Sequence, residues 1–381
     1  MNVKRIIVLG ATGSIGISSF DTVRNLGNSY SIVGASCHSS IDGLLTLAEE
    51  FHIPHLAVSG RKVSRPEITW SGDDAVRRLL METEADIVIN GIAGSAGLMP
   101  SVWALQSGKD LALANKETIV MAGPLIQALA EKEGRLILPV DSEHSAIFHL
   151  LRRQNLSELR GIVITASGGA FRSTPLDDFQ HITLRDALRH PTWDMGAKIT
   201  IDSATMANKG LEIIEAHYLF HLPASQISVL IHPQSCIHSM VQSVDGSFYA
   251  QISSPDMRIP IQNAITYPEV THSEFGGLDF TSANFTFQDP DYKRYPVLPL
   301  AFQAVENGGS YPLVYNTANE AAVEAFRQEK IRFIDIAPVV EATLQSDWSD
   351  PSSSFEEAVR THQLAWEQAR LNIDTILEHQ R

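Results

Sequence analysis

Three carboxylates in two separate segments have the residue types of a divalent-cation site. Asp141 and Glu143 stand two positions apart, and Glu212 stands in a second segment further along the chain. Acids two positions apart in an extended segment project to the same side, and carboxylate oxygens are ligands that Mg²⁺ and Mn²⁺ prefer. The alternative for the first pair is a helix N-cap with an acid in the first turn. The alternative for Glu212 is the solvated acidic face of an amphipathic helix.

The segment around Glu212 also carries groups that bind phosphate. Asn208 lies four residues before Glu212, and this spacing places both on one face of a helix predicted over residues 205–220. The Lys209 ammonium, the Asn208 amide and the nearby hydroxyls are suitable donors to phosphate oxygens. The segment therefore predicts a metal and a phosphate at opposite ends of one small substrate.

Two further segments are predicted to be loops that could complete such a site. Ser167-Gly168-Gly169 can form a backbone nest for an anion, or it can be an ordinary loop. The segment 190–196 contains Trp193 and Met195, and loops of this kind often close over ligands. Trp193 could equally anchor a core.

A glycine-rich turn near the start of the chain is typical of a dinucleotide site. The string Gly10-Ala11-Thr12-Gly13-Ser14-Ile15-Gly16 follows an apolar run and opens a predicted helix. Its glycines permit a tight turn, close approach of the backbone to a pyrophosphate, and close packing of helix on strand. The spacing is GxxGxxG rather than GxGxxG. The alternative is a glycine turn of an α/β fold that binds no cofactor.

The end of the second apolar run bears on the choice between NADH and NADPH. NAD enzymes place an acid there for the ribose 2′-hydroxyl, whereas this chain has hydroxyls and an imidazole, including Ser36 and His38. This composition favours NADPH. Further on, Asn115-Lys116-Glu117 follows the fifth run, where Lys116 could contact the cofactor or be a solvated lysine at the start of a helix.

The elements that would position these residues follow from the apolar pattern. Up to about residue 140, short apolar runs alternate with helix-like segments, and several runs carry Val and Ile without polar alternation, as strands buried on both faces do. This order predicts a Rossmann-like, doubly wound parallel sheet in an α/β protein. The six runs cover residues 5–9, 30–35, 55–58, 86–89, 110–114 and 135–140.

The remainder of the chain predicts two further domains. Strands over 159–165, 227–231, 238–244 and 247–253, the last two joined by Asp245-Gly246, indicate an α+β domain. Helical segments are predicted near 297–306, 315–329, 334–345 and 354–379. We therefore predict a cofactor domain over 1–141, an α+β catalytic domain over 142–266, a linker over 267–295 and a C-terminal helical domain over 296–381.

Composition excludes several classes of protein. A net charge of −15 argues against nucleic acid as a partner, and no run approaches the roughly 18 apolar residues that span a membrane. The first apolar run stops at Gly10 without a cleavage site, so we expect neither a signal nor a transit peptide. Cys37 and Cys236 form neither a disulfide framework nor a metal spacing, which predicts a reducing, cytoplasmic location.

Several strings, in order from about residue 5 to the C-terminal helices, resemble the 1-deoxy-D-xylulose 5-phosphate reductoisomerase family. They are residues 10–16, 113–117, 139–144, 166–169, 202–212 and 232–240. The resemblance implies rearrangement and reduction of 1-deoxy-D-xylulose 5-phosphate to 2-C-methyl-D-erythritol 4-phosphate, the committed step of the non-mevalonate isoprenoid pathway. It also implies NADPH, a divalent ion (Mg²⁺ or Mn²⁺, with Co²⁺ also accepted) and a homodimer.

The resemblance also implies roles for individual residues. The metal ligands would be Asp141, Glu143 and Glu212, which together with Lys209 and His190 would form the catalytic set. The substrate would contact Ser142, Glu143, Lys116, Ser167, His190, Trp193, Ser203, Asn208, Lys209 and Glu212, with His190 and Trp193 on a flexible flap. The cofactor would contact Thr12, Gly13, Ser14, Ile15, Ser36, His38, Asn115, Glu117 and Gly196.

The chain departs from the family pattern in two places. Residues 37–40 lack the basic or Asn-containing sequence expected around a 2′-phosphate, and the connection 151–160 is shorter than in many relatives. Two other classes remain as alternatives: an NAD(P)-dependent dehydrogenase of the semialdehyde or homoserine type, and a redox-sensing protein that binds the dinucleotide without chemistry. Neither class needs three carboxylates beside a phosphate clamp.

Overall fold

A computed structural model describes residues 3–154, 156–189 and 196–379. The chain forms two compact units, which we call unit 1 and unit 2. Unit 1 comprises Met1–Thr118, Ile126–Ser145 and Asp256–Gly277. Unit 2 comprises Ile119–Leu125, Ala146–Pro255 and Leu278–Arg381. None of the helices in the described ranges combines the length and the apolar character needed to cross a bilayer.

Strands and helices alternate through the first 151 residues, as the apolar pattern predicts. The strands are β1 Lys4–Leu9, β2 Tyr30–Cys37, β3 His55–Val58, β4 Trp70–Ser71, β5 Ile87–Asn90, β6 Asp110–Leu113 and β7 Ile137–Pro139. The helices are α1 Ser14–Leu26, α2 Ile41–Phe51, α3 Ala75–Glu82, α4 Leu98–Gln106, α5 Lys116–Glu133 and α6 Ser142–Leu151.

The second part of the chain contains four strands, followed mainly by helices. The strands are β8 Leu159–Ala166, β9 Ile227–Ile231, β10 Ile237–Ser243 and β11 Phe248–Ile252. The helices are α7 Leu184–Ala187, α8 Ala197–Thr205, α9 Ala207–Phe220, α10 Arg258–Thr266, α11 Val297–Asn307, α12 Tyr311–Arg327, α13 Ile336–Leu344 and α14 Phe355–His379.

Unit 1 is built on a seven-stranded parallel sheet in the order β4-β3-β2-β1-β5-β6-β7. The chain winds outward from β1 through β2 to β4, returns to the centre, and winds outward again from β5 to β7. The strand order therefore reverses between β1 and β5, and ligands of such sheets bind beyond the carboxyl ends of the strands at this point. The buried β1 residues, such as Ile6 and Val8, explain why its sequence shows no polar alternation. The predicted doubly wound α/β fold class is confirmed.

The segment Asp256–Gly277 completes unit 1 although it lies far along the chain. Its helix α10 packs against α1, and Lys4 Nζ donates to the Ile265 carbonyl oxygen at 2.7 Å. The sequence-based domain boundaries place this helix in the α+β domain. The structure groups it with the parallel sheet, while the division into three domains and a linker stays a prediction.

Unit 2 contains a four-stranded sheet in the order β11-β10-β8-β9 and the C-terminal helices. β8 and β9 are parallel, whereas β10 pairs antiparallel with β8 and with β11. Helix α9 packs against the sheet and against α11, with buried apolar side chains such as Leu211 and Ile214. The predicted strand over 227–231 is confirmed to the residue.

The helix predicted over residues 205–220 is α9, Ala207–Phe220, which begins two residues later than predicted. Met206 adopts a left-handed conformation (φ 64°, ψ 11°), so that α8 ends before it and α9 begins after it. The break gives α9 a separate N-terminus, two residues before Lys209.

Candidate functional site

The glycine-rich turn joins β1 to α1, at the point where the strand order of unit 1 reverses. Gly10 has φ +72°, and a Cβ there would lie 2.8 Å from the Gly91 carbonyl oxygen. A Cβ on Gly16 would lie 2.3 Å from the Ala11 oxygen, whereas a Cβ on Gly13 would meet only the Gly10 oxygen, at 3.4 Å. Gly10 and Gly16 therefore allow close packing of the backbone, whereas Gly13 leaves the exposed side of the turn without a side chain.

The start of α1 has the chemistry of an anion site. Gly13 occupies the N-cap position and supplies no side-chain hydrogen bond to the first turn. Gly13 and Ser14 are exposed, and Thr12 and Ile15 are half-buried. Since the N–H groups at a helix N-terminus favour negative charge, the four predicted cofactor residues 12–15 lie where a pyrophosphate would bind.

The end of β2 adjoins this turn. The Ala11 N–H donates to the Ser36 carbonyl oxygen at 2.8 Å. Ser36 is buried, whereas His38 is exposed and its Nδ1 lies 3.2 Å from Ser59 Oγ. Burial raises the pKa of the Cys37 thiol to about 11, although a backbone hydrogen bond with Ser40 acts in the opposite direction.

Asn115 holds the loop that follows β5. Its side chain caps α5 by accepting from the Thr118 N–H at 2.9 Å, and its Nδ2 donates to the carbonyl oxygens of Ile92 and Gly94, both at 2.8 Å. Nδ2 also lies 3.0 Å from Glu117 Oε2. Asn115 and Glu117 are both buried. They therefore fix the carboxyl edge of the sheet, and their contact with a cofactor stays a prediction.

Asp141 is the centre of a hydrogen-bonded cluster in unit 1. Its Oδ2 accepts from Lys116 Nζ at 2.8 Å, and its Oδ1 lies 3.0 Å from Nδ1 of the fully buried His144. Lys116 is buried, so the alternative of a solvated lysine is wrong. His144 received no role from the sequence, although its spacing of three residues from Asp141 was a usable signal.

The first interpretation of the sequence places Asp141 and Glu143 in an extended segment, but the structure does not. Residues from Ser142 onward form α6, and Asp141 Oδ1 accepts from the N–H groups of Glu143 (3.1 Å) and His144 (3.5 Å). The alternative of an acidic N-cap therefore describes the backbone correctly. Ser142 Oγ donates to Glu143 Oε2 at 2.5 Å. Because β7 ends at Pro139, the carboxylates of Asp141 and Glu143 still lie beyond the carboxyl edge of the sheet.

In unit 2, the loop after β8 lies against α8. Gly168 and Gly169 have φ +83° and +64°, and a Cβ on Gly169 would lie 2.4 Å from the Ser203 carbonyl oxygen. The Gly169 N–H donates to Ser167 Oγ at 3.1 Å. The structure thus brings together two predicted phosphate contacts, Ser167 and Ser203. The Tyr295 hydroxyl fixes this loop by donating to the Gly168 oxygen at 2.7 Å.

Helix α9 presents three predicted site residues in its first turn and a half. Glu212 accepts from Asn208 Nδ2 at 2.6 Å and from Lys209 Nζ. Lys209 is 4% exposed and Glu212 only 1%, so the predicted common helix face is confirmed and the alternative of a solvated acidic face is wrong. The positive end of the helix dipole adds to the Lys209 charge in attracting an anion.

A buried network supports α8 from the C-terminal helices. Asp202, the residue before Ser203, forms an ion pair with Lys198 (2.9 Å) and accepts from Asn319 Nδ2 at 2.8 Å. Asp202 and Asn319 are fully buried. Sequence reasoning missed Asn319, because its partner lies 117 residues away and no local spacing indicates the pair.

Two predicted substrate residues, His190 and Trp193, lie outside the described residues. Gly196, predicted to contact the cofactor, is described and occupies the N-cap position of α8. Its carbonyl oxygen accepts from Thr200 Oγ1 at 3.0 Å. A Cβ added at Gly196 would contact no other atom of the described residues within 4 Å.

Comparisons with known proteins show which family the chain resembles. Residues 6–123 match the family model for 1-deoxy-D-xylulose 5-phosphate reductoisomerase, and residues 137–220 and 252–368 match models for C-terminal domains of the same enzyme. The chain is 49% identical over 360 residues to the Treponema denticola 1-deoxy-D-xylulose 5-phosphate reductoisomerase, covering 94% of both chains.

Two solved structures of reductoisomerases are also similar over nearly their whole length. One is a complex with NADPH, fosmidomycin and magnesium, with a TM-score of 0.90, 37% identity, and coverage of 98% of this chain and 99% of that one. The other is the Zymomonas mobilis protein with NADPH, with a TM-score of 0.88, 39% identity, and coverage of 97% and 99%.

Proposed function

The chain belongs to the 1-deoxy-D-xylulose 5-phosphate reductoisomerase family, and from this premise we propose that it converts 1-deoxy-D-xylulose 5-phosphate to 2-C-methyl-D-erythritol 4-phosphate. The reaction uses NADPH and a divalent metal ion. The match of three family domains in order along the chain carries this conclusion. An NAD(P)-dependent dehydrogenase of the semialdehyde or homoserine type is not favoured, because the relatives matched over 94% of the chain are reductoisomerases.

We propose that Asp141, Glu143 and Glu212 hold the metal ion. Three carboxylates form the oxygen-rich donor set that Mg²⁺ and Mn²⁺ require and Co²⁺ accepts, so the residues present fit the ion. The side chains of Lys116 and Lys209 form ion pairs with Asp141 and Glu212, and this pairing orients both carboxylates. When bound, the metal supplies a Lewis acid that chelates adjacent oxygens of the substrate.

The phosphate of the substrate would bind at the start of α9. Lys209 and Asn208 stand in its first turn, and the Ser167 loop packs on Ser203 through Gly169. These four side chains, together with the helix dipole, supply charged and neutral donors for one phosphate. Binding energy from this end would orient the reacting carbons, which lie at the other end of a short substrate.

The remaining site residues have supporting roles in this proposal. Ser142 and Lys116 stand beside the predicted metal ligands and would contact substrate hydroxyls. His190 and Trp193 would close over the substrate. The turn 12–15 would hold the pyrophosphate of NADPH, whose nicotinamide supplies the hydride. Asn115, Glu117 and Gly196 would line the rest of the cofactor site.

The homodimer and the cytoplasmic location are also proposals. The edge strand β11 exposes Phe248, Tyr249 and Ile252, and an edge strand with exposed apolar side chains is a typical surface for pairing with a second copy. Sedimentation equilibrium tests the dimer: a monomer at micromolar concentration would contradict it. The two free cysteines support a reducing compartment, which fractionation of the source cells would test.

One set of variants tests the metal and phosphate assignments together. Glu212→Gln should lower Mn²⁺ affinity and turnover at least about a hundredfold while NADPH binding, followed by fluorescence, is retained. Lys209→Ala should lower kcat/KM about tenfold to a hundredfold through the lost charged donor. Glu306→Gln, which removes an exposed carboxylate from unit 2, is the control. Near-normal turnover of Glu212→Gln at saturating metal would remove Glu212 from the ligand set.

A further inference from the structure

The segment that follows β3 lies beside the end of β2, where the ribose of a dinucleotide is recognised. β2 and β3 pair in parallel, with Cys37 opposite Val58. The pairing continues beyond the strands, because the Ser59 N–H donates to the Cys37 oxygen at 3.1 Å and the Gly60 N–H to the His38 oxygen at 2.9 Å. The two segments therefore leave the sheet together.

The approach of these segments is close enough to require a glycine. A Cβ on Gly60 would lie 2.4 Å from the His38 oxygen and 3.2 Å from its Cε1. His38 also contacts Ser59 through its Nδ1. The next two residues, Arg61 and Lys62, are both exposed. The imidazole of His38 thus lies against the segment that leads into two cationic side chains.

The same neighbourhood includes the dinucleotide turn. The turn is tied to β2 by the Ala11–Ser36 hydrogen bond, and a Cβ on Gly43 would lie 3.3 Å from Thr12 Cγ2 and 3.0 Å from Ser40 Oγ. The start of α2 therefore packs directly against the turn. An adenosine whose pyrophosphate lies at the turn has its ribose beside these residues.

The neighbouring contacts distinguish Arg61 from the other cationic side chains of this segment. Asp42, the acid at the start of α2, forms an ion pair with Arg65 at 3.1 Å. The stem of Lys62 lies over Gly72, with Cγ 3.4 Å from the Cβ position, which places it on the β4 side of β3, away from β2. In the described part of the chain, Arg61 forms no ion pair with a carboxylate.

We propose that Arg61 is the residue that selects NADPH over NADH, by donating to the 2′-phosphate beside His38. It supplies the charged donor that the end of β2 lacks, and its planar guanidinium matches a phosphate geometrically. This inference rests on the proposed function, since it assigns a contact to the cofactor of that reaction. Lys62, one residue further on, is a matched control because its charge is the same and its stem lies against Gly72, toward β4 and away from β2.

The test measures binding separately from turnover. Dissociation constants of NADPH and NADH are determined by nicotinamide fluorescence, and those of adenosine 2′,5′-bisphosphate and AMP by calorimetry, for wild type, Arg61→Gln, Arg61→Lys and Lys62→Gln. Arg61→Gln should weaken NADPH and the bisphosphate about tenfold to a hundredfold and leave NADH and AMP within about twofold. Arg61→Lys should recover part of this loss, and Lys62→Gln should change the constants less than threefold.

The outcomes separate this inference from the proposed function. An unchanged ratio of NADPH to NADH affinity in Arg61→Gln, or an equal loss in Lys62→Gln, would overturn the assignment of Arg61 while wild-type NADPH binding kept the function intact. Failure of wild type to bind NADPH at all would instead overturn the proposed function. Because Arg61 is exposed, thermal unfolding of the variant should match wild type, and this check removes misfolding as an explanation.

Discussion

Replacing Gly210 with Ala tests how the C-terminal helices hold the phosphate and metal residues. Gly210 lies on α9 between Lys209 and Glu212, and an added Cβ would lie 2.0 Å from Tyr315 Oη, 2.7 Å from its Cζ and 3.0 Å from the Ala301 Cβ. Tyr315 is fully buried, and its hydroxyl donates to the Val297 oxygen at 3.4 Å. The tyrosine therefore cannot move aside without losing that bond or displacing α11.

The expected effect is a net loss of stability. In an unobstructed helix, alanine is favoured over glycine by about 1 kcal/mol. Overpacking costs about 1–3 kcal/mol, and a buried hydroxyl that loses its acceptor costs about 1–3 kcal/mol more. The free energy of unfolding should therefore fall by about 1–5 kcal/mol. Turnover should fall as well, because a shift of α9 moves Lys209 and Glu212 together.

Urea unfolding followed by circular dichroism measures the change, and a second substitution provides the control. Tyr315→Phe removes the atom nearest to the added methyl group, so Gly210→Ala should cost less in the Tyr315→Phe background than in wild type. The Cζ contact remains, which makes the recovery partial. A Gly210→Ala variant more stable than wild type by about 1 kcal/mol, the value for an exposed helix, would refute the contact.

Two predictions concern pH. Because burial raises the pKa of Cys37 to about 11, the native thiol at pH 8 should carry roughly a hundredfold less thiolate than in the unfolded chain, and iodoacetamide should alkylate it correspondingly slowly in a Cys236→Ala background. Equal alkylation rates of native and unfolded protein would contradict this prediction. The raised pKa of Cys37 stabilises the native state fully below about pH 8.5, and this contribution is lost as pH rises toward 11. Burial acts to raise the pKa of the Asp86 carboxyl, but hydrogen bonds and an ion pair with Arg5 hold it below its usual value. The stability difference between wild type and Arg5→Gln should therefore be present above about pH 4 and shrink as pH falls below it, and a difference independent of pH from 6 to 2.5 in urea titrations would rule out this pairing.

The sequence predicts the elements with a clear apolar pattern and misses those set by long-range contacts. β3 and β9 match their predicted bounds because β3 is buried from Leu56 to Val58 and β9 buries every second residue, from Ile227 to Ile231. β4 has only two residues, too few for any periodicity. Nothing in the local sequence indicates that the chain breaks at Met206, since methionine is a good helix former.

In the candidate site, too, the sequence predicts what local spacing determines and misses what long-range contacts determine. The spacing of Asn208, Lys209 and Glu212 predicts their shared face, because helix geometry relates residues three and four apart. The sequence leaves the conformation at Asp141 open, since an acid after a strand suits both an extended segment and an N-cap, and the structure has the N-cap. The pairing of Asn319 with Asp202 depends on the tertiary fold alone, and the sequence contains no local signal for it.

The return of residues 256–277 to the parallel sheet has a consequence for how the protein is made. A ribosome completes all seven strands of that sheet before it reaches residue 140, yet α1 lacks its packing partner α10 for more than a hundred further residues. The face of α1 that packs on α10 is therefore uncovered during much of synthesis, a period in which exposed apolar surfaces are prone to association. A continuous N-terminal fragment ending near residue 145 would have the same uncovered face, so we expect the dinucleotide unit to fold stably only with residues 256–277 attached.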